Sequence, residues 1–294
     1  MPSAPRTPLP GCLTVVGDLV EDVVVWPDGP VARGSDTPSR VFRSRGGSAA
    51  NVAVAAAPLV PTRFLGCVGN DPLGERLVAE LEAVGTDVRV QRRGRTGTIV
   101  VLVDVDGERT FLPDRAAAAD LGPVPAADLD AAAVLHVPAY GLHGGRTAQS
   151  VRELLTAASG RRVPISLDAS SWAVVREIPD LAQIVERVRP VVLFANADEA
   201  RELPLPLTAT TVVVKDGARP TTVLLPDGGS LSVSVPVVDA VRDSTGAGDA
   251  FAAGWLSAMM EGRDLPARVE RAHALARLVL ASPGAGPSGQ EEPA

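Results

Sequence analysis

Residues 243–254 read Asp-Ser-Thr-Gly-Ala-Gly-Asp-Ala-Phe-Ala-Ala-Gly, between an apolar, β-branched run at 231–241 and a run of small residues that ends near Met260. This pattern predicts a strand, a glycine loop and a buried helix that carries Asp249 in its first turn. Glycine lets the backbone approach a ligand, and the unpaired N–H groups of a helix N-terminus favour an anion. A carboxylate beside a bound phosphate is most useful as a proton acceptor. The stretch therefore indicates phosphoryl transfer to a hydroxyl.

A structural interpretation of the same stretch stays open at this point. A glycine-rich turn that opens a helix often only connects a strand to that helix, and an aspartate in the first turn stabilises the helix by capping. Short glycine motifs also occur by chance. The choice between the two interpretations depends on the rest of the chain.

The composition fits one large α/β domain. The chain has 294 residues, of which 46% are hydrophobic and only 3% aromatic, so Val, Leu and Ala must build the core. A formal net charge of -7 argues against nucleic acid or an anionic membrane surface as the main partner. No run approaches the roughly 18 apolar residues of a membrane span, and residues 1–10 lack the apolar centre of a signal peptide. We expect a cytoplasmic protein.

Individual residue types narrow the chemistry. Lys215 is the only lysine, which excludes a Walker-type phosphate loop, because that loop needs a lysine after its glycine. The two cysteines are far apart and fit reduced core thiols. The three histidines are also far apart in the sequence. The spacing typical of a transition-metal site is absent among these five residues, which are Cys12, Cys67, His136, His143 and His273.

The sequence of residues 13–57 predicts strands and one helix built almost entirely of small residues. Residues 13–18 form a buried strand with a polar end, and Asp22 follows closely. This carboxylate fits either the ligand-binding edge of an α/β sheet or a structural turn. Gly46 and Gly47 then open a helix of small residues in which Asn51 is the one polar interior side chain. A buried Asn51 must find hydrogen-bond partners, either a substrate hydroxyl or a backbone carbonyl.

Two groups of strands are predicted. Residues 98–104 and 109–112 flank Asp106-Gly107, a strong hairpin signal, and with the β-type runs at 23–25 and 41–42 they form a small separate sheet. From residue 131 onward strands and helices alternate, which predicts a parallel sheet with helices on both faces. The remaining predicted strands are 62–68, 134–137, 164–168, 191–194 and 210–215, the helices are 71–84, 146–158, 181–188 and 266–281, and a second hairpin joins 222–225 to 231–237.

One connection is unusually short. Only about a dozen residues separate Glu199 from the strand that begins near Thr211, and Pro204 and Pro206 lie among them. A parallel crossover usually contains a full helix. The gap leaves little room for one.

Two motifs, Gly-Gly-x-x-x-Asn at 46–51 and Asp-x-x-Gly-Ala-Gly-Asp at 243–249, resemble the two signatures of the ribokinase-like (PfkB) family of carbohydrate kinases. The resemblance covers nearly the whole chain, in the family's order. It implies an α/β fold with a mainly parallel central sheet flanked by helices, and a small β-sheet lid that covers the sugar and often pairs with a second subunit. The expected organisation is one kinase domain at 11–288, with lid strands drawn from about 23–45 and 97–112, and disordered tails at 1–10 and 289–294.

The resemblance also implies roles for individual residues around the sugar. Asp249 is similar to the family's catalytic base. The anion hole that faces the transferring phosphoryl group is expected from the N–H groups of Gly246, Ala247 and Gly248. The positions that resemble sugar-binding residues are Asp22, Gly46, Gly47 and Asn51.

For the nucleotide and its ions, the resemblance implies a second set of residues. The positions similar to nucleotide-binding residues are Asn196, Glu199, Lys215, Asp216, Gly217, Gly248 and His273. The expected monovalent-cation site consists of Asp243, Thr245, Gly284 and Ser288. Glu199 is expected to reach Mg²⁺ through water, because Mg²⁺ keeps several waters and binds phosphate oxygens. Without the other motifs, Asn196 and Glu199 would instead be interpreted as a helix cap and a first-turn acid.

The sequence departs from ribokinase itself where the substrate is chosen. Val20 stands in place of an Asn that touches ribose, and Ser48 in place of a lysine. His136-Val137-Pro138 does not match the expected acidic substrate contact, and Pro220 interrupts the nucleotide loop. The catalytic half of the pattern is intact. Val20, Ser48 and residues 136–138 bear on the identity of the sugar, and Pro220 bears on the nucleotide loop.

We therefore expect an ATP-dependent kinase that phosphorylates a hydroxyl, in the simplest case a primary one, of a small sugar or sugar derivative. ATP, Mg²⁺ and K⁺ are the expected cofactors, and a homodimer through the lid is the expected assembly. One alternative is a nucleoside kinase of the same family, whose base would stack on aromatic residues: Trp26, Phe42, Phe111 or Tyr140. The other is a sugar- or nucleotide-binding regulator without turnover, which the intact Asp249 disfavours and the short crossover favours.

Overall fold

The computed structural model describes residues 9–104, 108–203, 207, 209–238, 241 and 244–281. In chain order these residues form β1 (Cys12–Val16), β2 (Val20–Pro27), β3 (Ser39–Gly46), α1 (Ser48–Ala56), β4 (Thr62–Val68), α2 (Pro72–Ala83), β5 (Asp87–Arg92), β6 (Thr98–Val103), β7 (Arg109–Asp114), β8 (Ala132–Pro138), α3 (Gly145–Gly160), β9 (Ile165–Asp168), α4 (Trp172–Glu177), α5 (Leu181–Val188), β10 (Val192–Asn196), α6 (Ala197–Glu202), β11 (Thr211–Asp216), β12 (Arg219–Leu224), β13 (Ser230–Val233), α7 (Ala247–Met260) and α8 (Leu265–Leu280).

The large sheet has the strand order β13-β12-β11-β10-β9-β8-β1-β4-β5. Its pairs are parallel from β5 to β11, and only β12 and β13 run antiparallel. Successive side chains of a strand point to opposite faces, so Val15 packs into the core that α1, α2, α7 and α8 cover, and Val16 into the core that α3, α4 and α5 cover. The predicted mainly parallel sheet between helices is confirmed.

The small sheet has the strand order β3-β2-β6-β7. It contains the predicted hairpin, β6 and β7, while its turn at Asp106-Gly107 lies outside the described residues. Directly paired residues of neighbouring strands share a face, and the pairs Val24–Phe42, Val24–Val101 and Val101–Phe111 form such a row. We call this sheet the lid, and its face that carries Asp22, Phe42, Phe111 and Arg109 the inner face.

The structure corrects one predicted strand and adds two elements. The run at 231–241 was expected to be a strand that feeds the glycine loop, but β13 ends at Val233. Pro236 explains the early end, because proline cannot donate to a sheet ladder. The sequence pattern assigned nothing to β5 or to α4. In β5 the apolar residues Val88 and Val90 alternate with charged or polar ones, and the strand lies at the edge of the sheet.

The short connection between β10 and β11 contains α6, a helix of six residues. The two strands still pair in parallel, with Asn196 opposite Lys215. The crossover is therefore as compact as its length predicts, and it brings these two side chains to the same end of the sheet.

Helix α7 lies between α1 and α8. Its small residues permit close packing: a Cβ added to Gly254 would lie 2.7 Å from the backbone oxygen of Arg271 on α8. Near the chain start, the N–H of Leu9 donates a 2.7 Å hydrogen bond to the oxygen of Met260 at the end of α7. The other residues of the expected tails, apart from Pro10, lie outside the described residues, and the single kinase domain at 11–288 stays a prediction. No helix within the described ranges is long and apolar enough to cross a membrane.

Candidate active site

Asp249 lies in the first turn of α7 and contacts α1. The helix follows Gly246, whose φ of 76° is in the left-handed region that glycine adopts without strain. Ser48 Oγ donates a 2.6 Å hydrogen bond to Asp249 Oδ1, and Asn51 Nδ2 donates a 2.9 Å bond to Oδ2. The structure thus brings the two sequence motifs together, and both carboxylate oxygens of Asp249 accept a hydrogen bond from α1.

The electrostatic surroundings tune this carboxylate. Burial raises the pKa of Asp249 to about 6, against the hydrogen bonds from Ser48 and Asn51, which lower it. Within this net value, the negative charge of Asp168 also acts to raise the pKa of Asp249, and the positive charge of Lys215 acts to lower it. A carboxyl group with this pKa is mostly ionised at pH 7 and still accepts a proton readily. These are the properties of a general base.

Asn51 is buried in α1 and uses both ends of its amide. While Nδ2 donates to Asp249, Oδ1 accepts a 2.6 Å hydrogen bond from Nη1 of Arg45 at the end of β3. The sequence predicted that Asn51 needs partners, and the partners are side chains rather than a backbone carbonyl. Arg45 was missed, although it stands directly before the glycine pair.

The two glycines before α1 are required for different reasons. A Cβ on Gly46 would overlap the carboxylate of Asp22, which lies against it from β2. Gly47 has a φ of 99°, and a Cβ there would overlap the backbone oxygen of Asp18. The glycine pair therefore lets Asp22 approach the start of α1, where the predicted sugar-binding residues Asp22, Gly46, Gly47 and Asn51 meet.

Asp18, which follows β1 closely, holds two segments of the chain together. Asp18 accepts two 2.7 Å hydrogen bonds from Arg115, one at each oxygen. Arg115 also donates a 2.8 Å bond to the backbone oxygen of His143. This bidentate pair joins the end of β1 to the segment that follows the lid.

Lys215 lies at the end of β11 beneath the glycine loop. Its Nζ is 3.1 Å from Asp168 Oδ2, and a Cβ on Gly248 would lie 3.2 Å from the same nitrogen. Burial opposes the charge of Lys215, but Asp168, Glu199 and Asp249 outweigh burial and raise its pKa. The single lysine of the chain is therefore a fixed positive charge next to the start of α7.

Asn196 and Glu199 form a capping box on α6. Asn196 Oδ1 accepts from the N–H of Asp198 and of Glu199, and the Glu199 carboxylate accepts from the N–H and Nδ2 of Asn196 at 2.7 and 2.8 Å. Burial and the charge of Asp168 raise the pKa of Glu199 to about 7. The structure contains the helix cap that was one interpretation of this pair. The role of Glu199 near Mg²⁺ stays a prediction.

No group of three or more His, Cys, Asp or Glu side chains among the described residues is arranged to hold a metal ion directly. Asp168 nevertheless raises the pKa of both Glu199 and Asp249, which marks a locally acidic region. Such a region suits Mg²⁺ that is bound by phosphate oxygens and water rather than by protein ligands. Of the expected monovalent-cation ligands, Asp243, Gly284 and Ser288 lie outside the described residues; Thr245 is described and accepts a hydrogen bond from Arg109 of the lid.

A comparison with known proteins gives this geometry its context. The sequence profile of the pfkB family of carbohydrate kinases matches residues 13–292. The chain belongs to this family. Its curated relatives include an ATP-dependent ribose-1-phosphate kinase of Halopiger xanaduensis, 30% identical over 268 residues and 87% of each chain. They also include a fructokinase of Klebsiella pneumoniae, 31% identical over 85% of this chain and 84% of the relative.

Solved structures share the fold of this kinase. An adenosine kinase from Sinorhizobium meliloti has a TM-score of 0.85 at 22% identity, with coverage of 95% of this chain and 97% of that one. A putative ribokinase II from E. coli in complex with ATP and Mg²⁺ has a TM-score of 0.81 at 21% identity, with coverage of 94% of both chains. The expected ribokinase-like fold with its lid is confirmed.

The remaining predicted nucleotide-binding residues of the kinase lie around β11 and β12. Asp216 accepts two 2.6 Å hydrogen bonds from Arg219, and Gly217, with φ 59°, forms the turn between the strands. His273 is buried: its Nε2 lies 2.9 Å from Thr221 Oγ1, and its ring packs edge-on against Phe251. These contacts hold the loop and the helix in place, and direct contact with the nucleotide stays a prediction.

Two positions that depart from ribokinase have clear structural surroundings in the kinase. Ser48 is the hydroxyl that holds Asp249. His136 is fully buried in β8, where its Nδ1 lies 3.0 Å from Ser166 Oγ, and burial lowers its pKa to about 4. His136 is therefore a neutral residue of the sheet core.

Proposed function

We propose that this kinase transfers the γ-phosphoryl group of ATP to a hydroxyl of a small sugar or sugar derivative, with Asp249 as the general base. One observation carries the proposal: Asp249, at the N-terminus of α7, is held between Ser48 and Asn51 of the predicted sugar-binding motif. Phosphoryl transfer depends on positioning and charge stabilisation more than on covalent chemistry. The site offers both.

In the proposed reaction, Asp22, Gly47 and Asn51 bind hydroxyl groups of the sugar. The acceptor hydroxyl lies within hydrogen-bond reach of Asp249, which takes its proton as the oxygen attacks the γ-phosphorus. The first N–H groups of α7, from Gly246 to Gly248, face the negative charge that develops on the phosphoryl oxygens. In the structure the Ala247 N–H lies 3.2 Å from the oxygen of Ser244, and a bound phosphate would compete for it.

ATP would lie along the ends of β10 and β11, beside residues that are polar or charged. This wall consists of Asn196, Glu199, Lys215, Asp216, Gly217 and, further away, His273. Lys215 would attract the phosphates from below the loop. Mg²⁺ supplies charge neutralisation to the phosphates when it is bound, and Glu199 would contact it through water.

A nucleoside kinase is the second candidate. Phe42 and Phe111 lie on the inner face of the lid, the face that carries Asp22, and are 36% and 51% exposed. Exposed aromatic rings that face a substrate site suit the stacking of a base. The similarity to adenosine kinases points the same way.

We further propose a homodimer through the lid and a cytoplasmic location. Val41 and Leu112 lie on the outer face of the lid and are 54% and 51% exposed. Apolar side chains on an open sheet face gain from burial against a second copy. Sedimentation velocity tests this: a monomer at micromolar concentration would contradict the dimer.

An ATP-consumption screen tests the function. Purified protein is incubated with Mg²⁺, in K⁺ or Na⁺ buffer, and with pentoses, hexoses, sugar phosphates, keto-sugar acids or nucleosides. We expect turnover with one class, a loss of ~10²–10⁴-fold in kcat for Asp249→Asn, and a higher rate in K⁺. Asp264→Asn is the matched control, because Asp264 only caps α8. Binding of acceptors without turnover would support the regulator instead, and equal rates in K⁺ and Na⁺ would remove the cation site.

A further inference from the structure

We propose that Arg45 is a positioning residue that acts on Asp249 through Asn51. Three side chains form a chain of hydrogen bonds: Arg45 Nη1 donates to Asn51 Oδ1 at 2.6 Å, and Asn51 Nδ2 donates to Asp249 Oδ2 at 2.9 Å. The inference rests on the proposed function, in which Asp249 is the base. It assigns to Arg45 the task of fixing which end of the Asn51 amide faces that base.

The argument begins with the two ends of an asparagine side chain. They have nearly the same shape, but one end is an acceptor and the other a donor. A rotation of 180° about the last side-chain bond of Asn51 would turn its oxygen toward Asp249. Two acceptors would then face each other, unless the carboxyl group became protonated. The orientation of Asn51 therefore controls whether it favours the ionised base or opposes it.

Arg45 removes this ambiguity because a guanidinium group has only donors and does not lose its proton in proteins. Burial lowers the pKa of Arg45, and the negative charges of Glu80, Asp22 and Asp249 oppose that change, so the Arg45 side chain stays protonated. Only the oxygen of Asn51 satisfies such a neighbour. The nitrogen must then point to Asp249.

Asp249 also responds to charges on other elements, so the contribution of Arg45 has to be separated from theirs. Among the described residues, the charged groups that interact with Asp249 include Asp168 of β9, Lys215 of β11 and Arg45 of β3. The negative charge of Asp249 also acts on Tyr140. Burial raises the pKa of Tyr140 to about 12, so the Tyr140 side chain stays neutral. None of these groups donates to Oδ2, the oxygen that Asn51 holds.

The test measures the titration of Asp249 directly, without a substrate. The protein is labelled with ¹³C at aspartate carboxyl groups, and the Asp249 signal is assigned from its loss in Asp249→Asn. For Arg45→Met we expect the midpoint to rise by about one unit above that of the wild type, because Asn51 is free to turn. Arg45→Lys keeps a donor-only cation for what is a single hydrogen bond, and we expect its midpoint within about 0.3 units of the wild type.

A double substitution separates the relay from a simple charge effect. If Arg45 acts through Asn51, Arg45→Met shifts the midpoint much less in an Asn51→Ala background than in the wild type, since residues that act in series are not additive. An equal shift in both backgrounds would mean that the charge of Arg45 acts directly on Asp249 and would overturn the proposal. So would a wild-type midpoint in Arg45→Met. Circular dichroism checks that each variant is folded, and Arg45→Gln replaces Arg45→Met if the latter is not.

The outcomes also separate this inference from the proposed function. Loss of turnover in Asp249→Asn with an unshifted midpoint in Arg45→Met would leave Asp249 as the base and remove the relay. Full turnover in Asp249→Asn would remove the base, whatever the titration of the variants. Once an acceptor is found, the acid side of the kcat/KM profile should follow the same order: wild type and Arg45→Lys together, and Arg45→Met at higher pH.

Discussion

Ser48 Oγ lies 2.6 Å from Asp249 Oδ1, although 201 residues separate the two in the chain. Ser48 is also one of the positions at which the sequence departs from ribokinase, where a lysine stands. A hydroxyl at this position donates a hydrogen bond to Asp249, the proposed base, without adding a charge. The departure therefore bears on the ionisation of Asp249 as well as on the choice of substrate.

We expect Ser48→Ala to move the acid side of the activity profile to higher pH. The hydrogen bond from Ser48 lowers the pKa of Asp249, so its loss lets burial raise that pKa above about 6. The base is active when ionised, so activity is lost as the pH falls through the raised pKa. A rise of one unit would cost about fivefold in kcat/KM at pH 6 and almost nothing at pH 8. Ser48→Thr, which keeps the hydroxyl, is the control, and identical profiles for all three proteins would refute the prediction.

We expect Lys215→Met to lower both stability and activity. The substitution leaves Asp168 buried without its cation, and removing one partner of a buried ion pair costs roughly 3–5 kcal/mol. Lys215 also lowers the pKa of Asp249 and Glu199, so both carboxyl groups should protonate at higher pH. Urea unfolding at pH 7.5 measures the first effect. Arg219→Met breaks an exposed pair with Asp216 and should leave the unfolding midpoint unchanged; equal losses in both variants would contradict the prediction.

We expect alanine substitutions at Gly46 and Gly47 to have different effects, one on the binding of the acceptor and the other on stability. Gly47→Ala forces a positive φ on alanine and overlaps the backbone of Asp18, so we expect a loss of more than ~1–3 kcal/mol in the free energy of unfolding. Gly85→Ala is the matched control, because Gly85 has a φ of 88° and open space around it. Gly46→Ala displaces the side chain of Asp22 instead, so a higher KM for the acceptor is expected. Equal stability of Gly47→Ala and Gly85→Ala would show that the clash is relieved.

We expect Arg109→Ala to loosen the lid. Arg109 on the inner face donates a hydrogen bond to Thr245, just before the turn that opens α7. Without it, the amides of β6 and β7 should exchange faster, and more ATP should be hydrolysed without acceptor, because an open lid admits water. Hydrogen exchange and phosphate release measure these effects. Arg40→Ala, on the opposite edge strand β3, should change neither, and unchanged exchange in Arg109→Ala would argue against a role in closing the lid.

The sequence predicted those features that depend on local chemistry. The glycine loop, its helix and the small-residue helix of Asn51 follow from short patterns. For Asn196 and Glu199 a helix cap was the alternative to a role near Mg²⁺, and the structure contains that cap. The strand β5 was missed because its alternating pattern is short and contains only two apolar residues, Val88 and Val90, among charged or polar ones. The run at 231–241 is rich in valine, which favours a strand, and Pro236 is the residue in it that indicates an early end.

The contacts of the site are harder to predict, since they depend on packing between distant segments. The sequence shows that a buried Asn51 needs partners, but it does not show that α1 packs beside α7. The bond from Asn51 to Asp249 spans 198 residues. Arg45 gave no signal of its own, because an arginine before a glycine pair also fits an exposed loop. The roles of Arg45 and Ser48 follow only from the folded arrangement.

This separation along the chain has a consequence for biosynthesis. Ser48 and Asn51 are synthesised 201 and 198 residues before Asp249. A nascent or truncated polypeptide thus contains the donors without the carboxylate they hold. With Asp249 as the proposed base, phosphotransfer to the acceptor begins only after α7 has packed against α1. Under the proposed mechanism, catalytic activity in this protein therefore reports that two distant segments of the chain, α1 and α7, have packed together.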